Sequence, residues 1–291
     1  MTNKWLKVAL MVTAIATGTS INIDAETVLY VPQDDRPVSL QYTVDTAREA
    51  GMTVLTPPQH LISGKTYQGQ ADQIMAWVEQ NAGRADVMVL STDTLIYGGL
   101  VDSRKHNIPL STLQNRLKRI EGLKARNKNV RIYGFGTVMR SPRASGGGTE
   151  PAYYAEYGPT IFQIAALQDK LDSGSLTQEE TQKLMSLQAS VPVEYLQDWF
   201  DRRQKNMKIN KELIDETRSG VFDYFALGHD DTSQLSQSAL EGRYLNKYSK
   251  DISVEKYGSF PGADQLGLLL MARSRTDEST EKPTFSVIYP L

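Results

Sequence analysis

Two Asp-Asp pairs, four arginines and a histidine are the residues of this 291-residue sequence best equipped for chemistry. Each follows a short apolar run. Pro32-Gln33-Asp34-Asp35-Arg36-Pro37 comes after one, and Thr92-Asp93-Thr94-Leu95-Ile96-Tyr97-Gly98-Gly99, then Asp102-Ser103-Arg104, after another. Arg140-Ser141-Pro142-Arg143 and Gly228-His229-Asp230-Asp231-Thr232 close two more.

Two carboxyl groups with different neighbours hold their protons with different strength, which general acid–base catalysis requires. Glycoside hydrolysis is the commonest reaction built on such a pair. Asp230 and Asp231 are the acid/base candidates, with Asp34 and Asp35 as a second pair. The competing structural reading is that one aspartate of each pair caps a helix or turn. Asp231 before Thr232-Ser233, and Asp35 before Pro37, are placed to do so.

Arg36, Arg104, Arg140 and Arg143 either pair with these carboxylates or clamp an anionic ligand in bidentate fashion. A uronic acid, a sialic acid or a phosphorylated sugar would suit an arginine left free. Asp93, Tyr97 and His229 complete the set of expected ligand contacts. His229 beside Asp230 has two further readings, a general base or a metal ligand with Asp34 and Asp93. The structural alternative is a hydrogen-bonded histidine.

Other chemistries are excluded or unsupported. With no cysteine, disulfides, zinc–thiolate sites, iron–sulfur clusters and thiol nucleophiles cannot form. No G-x-G-x-x-G opens a helix, no Gly-Lys-Ser/Thr follows the glycines, and no G-x-S-x-G elbow occurs. No cofactor and no bound metal is expected. Lys+Arg (32) nearly balance Asp+Glu (34) and no basic stripe appears, so a nucleic-acid partner is not expected. The expected partner is a small molecule or glycan.

The elements that must position these residues alternate. Apolar, β-branched runs at Thr27–Val31, Thr53–Thr56, Asp86–Ser91, Asn129–Phe135, Phe222–Leu227 and Thr284–Tyr289 read as buried strands. Helical patterns fall at Val38–Ala50, Gln70–Asn81, Ser111–Arg126 and Ala263–Arg273, with Gly51 and Gly83 as stops. The rhythm breaks at 151–220, a helical insertion with patterns at Ile161–Leu171, Thr177–Ala189 and Tyr195–Thr217. Tyr153, Tyr154, Tyr157 and Trp199 there would suit a sugar-stacking lid or, more simply, packing of the insertion. The expected fold is α/β: a mainly parallel sheet, with a TIM-type, incomplete barrel favoured over an open doubly wound sheet. In either, ligands bind at the carboxyl ends of the strands.

Residues 1–25 read as a signal peptide. Lys4 and Lys7 precede an apolar run, Val8–Thr17, too short for the roughly 20 residues of a membrane span, and Ala25 is a plausible cleavage residue. An uncleaved anchor is the alternative. Residues 26–291 are then a single, secreted domain, with no membrane association once the leader is removed.

The strings Val31–Pro37, Ser91–Leu100 with Ser103-Arg104, and Gly228–Thr232 resemble the signature blocks of a bacterial family known as domain of unknown function 4127. The resemblance covers the mature chain and carries no activity. Members are typically longer, which implies a chain truncated at its C-terminus and a full barrel of eight strands.

The reading that follows is a secreted glycosidase-like hydrolase acting on a carbohydrate, anionic if an arginine is free. The alternatives are a non-catalytic binding protein for anionic sugars or cell-wall fragments, and a metal-dependent hydrolase.

Overall fold

The computed structural model describes residues 25–278 apart from Thr232. Most of the leader segment and the strand expected at Thr284–Tyr289 lie outside the described residues. Within them the alternation expected from the sequence is present. Strands β1 (Thr27–Val31), β2 (Thr53–Leu55), β3 (Val87–Ser91), β4 (Arg131–Val138), β5 (Tyr224–His229) and β6 (Tyr257–Pro261) form one all-parallel sheet in the order β2-β1-β3-β4-β5-β6.

Strand side chains alternate between two faces, so a sheet covered on both sides needs apolar residues at every position. β1 shows this. Leu29 and Val31 enter one core, with Met88, Leu90, Ile132 and Leu227, while Val28 and Tyr30 enter the other, with Val87, Val89, Tyr133 and Ala226. Helices α1 (Gln41–Glu49) and α10 (Leu266–Glu278) cover the second face through Val44, Ala47, Leu266, Leu270 and Met271. Helices α2 (Ala71–Asn81) and α5 (Leu110–Arg126) cover the first through Ile74, Met75, Val78, Leu113, Leu117 and Ile120.

Among the described residues the sheet is not closed. β2 pairs only with β1 and β6 only with β5, so these residues do not form the barrel favoured from the alternation. The physical difference is in the order of pairing. β1 lies between β2 and β3, which puts helices on both faces, whereas a barrel pairs its strands in sequence order with helices outside only.

Between β3 and β5 the chain adds two short helices, α3 (Thr92–Tyr97) and α4 (Leu100–Lys105), and then, after β4, α6 (Tyr154–Asp172), α7 (Gln178–Ala189) and α8 (Val193–Ser219). α7 begins with the capping box its sequence offers: Thr177 Oγ1 accepts from Glu180 N, and the Glu180 carboxylate accepts from Thr177 N, both at 3.1 Å. α8 serves two cores. Trp199 near its start packs with Met139, Tyr154, Ile161, Ile164 and Leu184 in the insertion, whereas Ile209, Leu213 and Ile214 pack on the sheet. It ends at Gly220, whose φ of 85° is the left-handed conformation that closes a helix. α9 (Gln237–Tyr248) joins β5 to β6. Among the described residues no helix is long and apolar enough to cross a membrane.

Candidate functional site

The reversal in strand order between β1 and β3 leaves a crevice at the carboxyl edge, the usual place for a ligand in such sheets. Loops from both sides are tied across it. Thr94 Oγ1 donates to Pro32 O at 2.7 Å, and Gln33 Nε2 donates to Asp93 Oδ2 at 3.3 Å. β4, β5 and β6 end along the same edge, and the charged residues meet there.

Asp34 is buried and turned back on its own loop. Its carboxylate accepts from Arg36 Nε at 2.8 Å and from the Arg36 backbone N at 3.2 Å. The same guanidinium reaches 228 residues along the chain, where Nη2 donates to Asp264 Oδ1 at 2.8 Å. Arg36 therefore clamps the ends of β1 and β6. Arg104, at the end of α4, donates through Nη2 to Asp230 Oδ2 at 2.5 Å and joins the β3 and β5 ends. Arg140 donates through Nε to Glu150 at 2.8 Å and through Nη2 to Thr149 Oγ1 at 2.7 Å. Glu150 also accepts from Gly146 N at 2.6 Å, so the glycine segment wraps around this pair.

Asp34, Arg36, Arg104, Arg140, Asp230 and Asp264 line one cavity of about 350 Å³, with Lys65, Gly146 and Thr149 at its rim. Four of the residues expected to share a site, Asp34, Arg36, Arg104 and Arg140, are thus brought together with Asp230. All three of the arginines are already ion-paired. Lys65 has no ion-pair partner among the described residues.

Electrostatics separate the carboxyl groups. Burial pushes Asp230 above the ordinary aspartate range, and the guanidinium groups of Arg104 and Arg140 pull it back only in part. Burial also lowers the affinity of Arg104 for its proton, so dehydration outweighs attraction for both members of that pair. Asp93, 2% exposed behind the cavity, is pushed up to about 6 by burial, against hydrogen bonds from Thr137 and Gln33. For Glu150, burial is outweighed by the Gly146 N–H and Arg140, which hold it below the usual range.

The remaining expected residues lie elsewhere. Asp231 spends both oxygens on backbone N–H groups, of Ser233 at 2.9 Å and Ser141 at 3.3 Å, and so follows the capping reading. Asp35 accepts from the Tyr67 hydroxyl at the loop surface. His229 shares a 2.7 Å hydrogen bond between Nε2 and Ser259 Oγ, and burial lowers its pKa toward the neutral ring. Tyr97 is turned inward, 4.9 Å from the His106 ring, because the segment after β3 coils into α3. Arg143 lies over the Phe162 ring, 5.3 Å from its centroid. The aromatic residues of the insertion pack on one another, Tyr153 on Tyr195 and Tyr154 on Trp199, both at 4.7 Å. Among the described residues no three histidine, aspartate or glutamate side chains are grouped to hold a metal ion.

Three charged residues in or beside the cavity were not expected. Asp264 follows β6, a strand its sequence hides; Lys65 sits on a loop between β2 and α2; Glu150 lies just beyond the glycines. The available signal is Gly262-Ala263-Asp264, a glycine two residues before an acid, as in Gly228-His229-Asp230 at the end of β5.

A family model described as "Protein of unknown function (DUF4127)" matches residues 28–291. The chain belongs to this family. Every residue that lines the cavity falls within the matched span. No curated protein matches the chain.

Proposed function

We propose that the charged cleft is the active site of an exported hydrolase acting on a carbohydrate, with Asp230 as its proton donor. The supporting observation is Asp230 itself: a carboxyl group at a strand end, 14% exposed, raised by burial and lining a cavity that also holds Asp34 and Asp264. A carboxyl group whose hold on its proton is raised by burial is the kind a general acid uses. Asp230 gives its proton to the bridging oxygen as the bond from that oxygen to the sugar carbon breaks. Asp264, the more exposed carboxylate, accepts a proton from the water whose oxygen bonds to that carbon. Both products leave neutral at the reacting atoms, and Asp264 returns its proton to solvent while Asp230 regains one.

Arg36, Arg104 and Arg140 are held in place by their ion pairs, so they would meet a ligand at little entropic cost. Lys65 supplies a cation for an acidic group on the ligand. The leader-like residues 1–25 support export.

A second reading, a non-catalytic binding protein, draws support from the complete pairing of the three arginines, which suits holding a ligand without reaction. One experiment separates the two. The protein without residues 1–25 is assayed for product release and for binding across neutral and acidic glycans, beside Asp230→Asn. The hydrolase reading expects turnover that falls by roughly a hundred-fold or more in the variant. Binding without turnover selects the second reading, and neither binding nor turnover sinks both.

A further inference from the structure

The charged cleft continues into a second cavity of about 700 Å³. Asp230 and Asp264 line both, so they form the shared wall. Beyond that wall the chemistry changes. Val38, Phe260, Pro261, Leu266 and Leu269 provide most of the surface, with Gln265 among them, and Leu269 is left 44% exposed.

The backbone of this cavity is closely built. Gly262 N donates to His229 O at 2.8 Å, with Gly262 at a φ of 92° that other residues rarely adopt. A Cβ on Gly228 would come within 2.6 Å of Gly262 O and of Leu266 Cδ1. β5 and the turn after β6 therefore close on each other with no spare room, and the open space lies beside them. An apolar concavity with a few convergent polar groups at one end is the usual form of a small-molecule site.

We propose that this cavity binds an apolar group, an aromatic ring or a short alkyl chain, carried by the same ligand whose polar part occupies the charged cleft. The inference rests on the cleft being a ligand site, as proposed above. The shared wall selects the occupant. A group in the apolar cavity is joined to one in the cleft across Asp230, where the donated proton would reach the connecting oxygen. In a glycoside the apolar group is then the leaving group. A second sugar fits less well, because beyond the shared wall Gln265 is the one polar side chain in the lining, and most of the sugar's hydroxyls would face Val38, Phe260, Leu266 and Leu269.

The test uses the fluorescent probe anilinonaphthalene sulfonate, which needs no turnover. The wild-type protein should bind it, and Leu269→Asp and Leu269→Trp should each weaken binding about ten-fold, one by charge and one by filling the space. Leu171→Asp, on an exposed leucine of the insertion, should leave it unchanged. Nitrophenyl glucuronide should displace the probe at about ten-fold lower concentration than methyl glucuronide. Probe binding is read without turnover, so loss of the hydrolase reading and loss of this one are told apart. No probe binding, equal weakening by Leu171→Asp, or equal or absent displacement by the two glycosides overturns the proposal.

Discussion

Arg203 donates to both carboxylate oxygens of Glu241, at 2.7 and 2.6 Å, with the two side chains only 1% and 7% exposed. The same guanidinium donates to Met139 O at 2.6 Å and Arg140 O at 3.0 Å, and it lies over the Trp199 ring. One buried side chain thus ties the insertion, α9 and the end of β4 together, and it fixes the backbone from which Arg140 enters the cleft.

Removing one partner of such a pair leaves a charge buried without compensation, which costs about 3–5 kcal/mol, far more than the pair itself contributes. Glu241→Ala should therefore lower stability by about that amount in urea unfolding. Arg203→Met with Glu241→Leu should cost clearly less than the sum of the single changes. A single change costing under about 1 kcal/mol would show that the pair is no tie at all.

How much of this was legible depends on where each residue's environment comes from. Thr27–Val31 declares itself because both its faces are buried, which forces a continuous apolar run. β6, with the sequence Tyr-Gly-Ser-Phe-Pro, pairs on one side only among the described residues and keeps little of that pattern, and Asp264 was hidden with it. α9 was hidden by Gly242, whose missing side chain makes room for the His229 ring: a Cβ there would come 2.4 Å from Cε1. That constraint comes from β5, not from the neighbours of Gly242 in sequence. Barrel and open sheet share the same alternation, so strand order, a matter of long-range pairing, could not be read from it. The carboxyl-edge rule did place Asp34, Arg36, Arg104, Arg140 and Asp230 in one cavity. It could not foresee that α3 turns Tyr97 into the core.

Asp93 should make stability depend on pH in a defined direction. Its folded value of about 6 lies above the ordinary 3.8, so the native state holds the proton more tightly than the unfolded chain. The associated stability is fully present below pH about 4 and is lost as pH rises through about 6. At neutral pH the buried charge costs up to roughly 3 kcal/mol. Asp93→Asn removes that charge. The variant should be more stable than wild type by about 1–3 kcal/mol at pH 7.5, and the gap should close by pH 4. An unchanging gap in paired denaturation curves would mean that Asp93 does not titrate as its burial implies.

Arg104 should set the alkaline limit of any turnover. It pulls the Asp230 carboxyl down against burial, and Arg104→Met removes that pull. A general acid is active only while protonated, so the alkaline limb of kcat/KM should move to higher pH in the variant. Binding by the Asp34 side of the cleft should weaken as well, which separates the limb position from KM. A limb that stays in place while KM alone changes would remove Asp230 from the role of proton donor.

Gly99 should control the loop that carries Lys65. A Cβ at Gly99 would sit 1.8 Å from Ser63 Oγ and 2.7 Å from Ser63 Cβ, so any side chain at 99 must drive the Ser63 loop outward. That loop is held by Ser63 O accepting from Asp35 N at 2.9 Å and by Gly69 N donating to Asp102 Oδ2 at 3.0 Å. Gly99→Ala should break the first of these links and shift Lys65 away from the cleft. The expected readouts are a loss of stability of about 1–3 kcal/mol from overpacking and weaker binding of acidic ligands than of neutral ones. Ser63→Gly removes the atoms in the way, so the Gly99→Ala, Ser63→Gly double variant should recover most of both losses. Failure of the second change to rescue the first would show that the close approach of Gly99 to Ser63 does not hold Lys65 over the site.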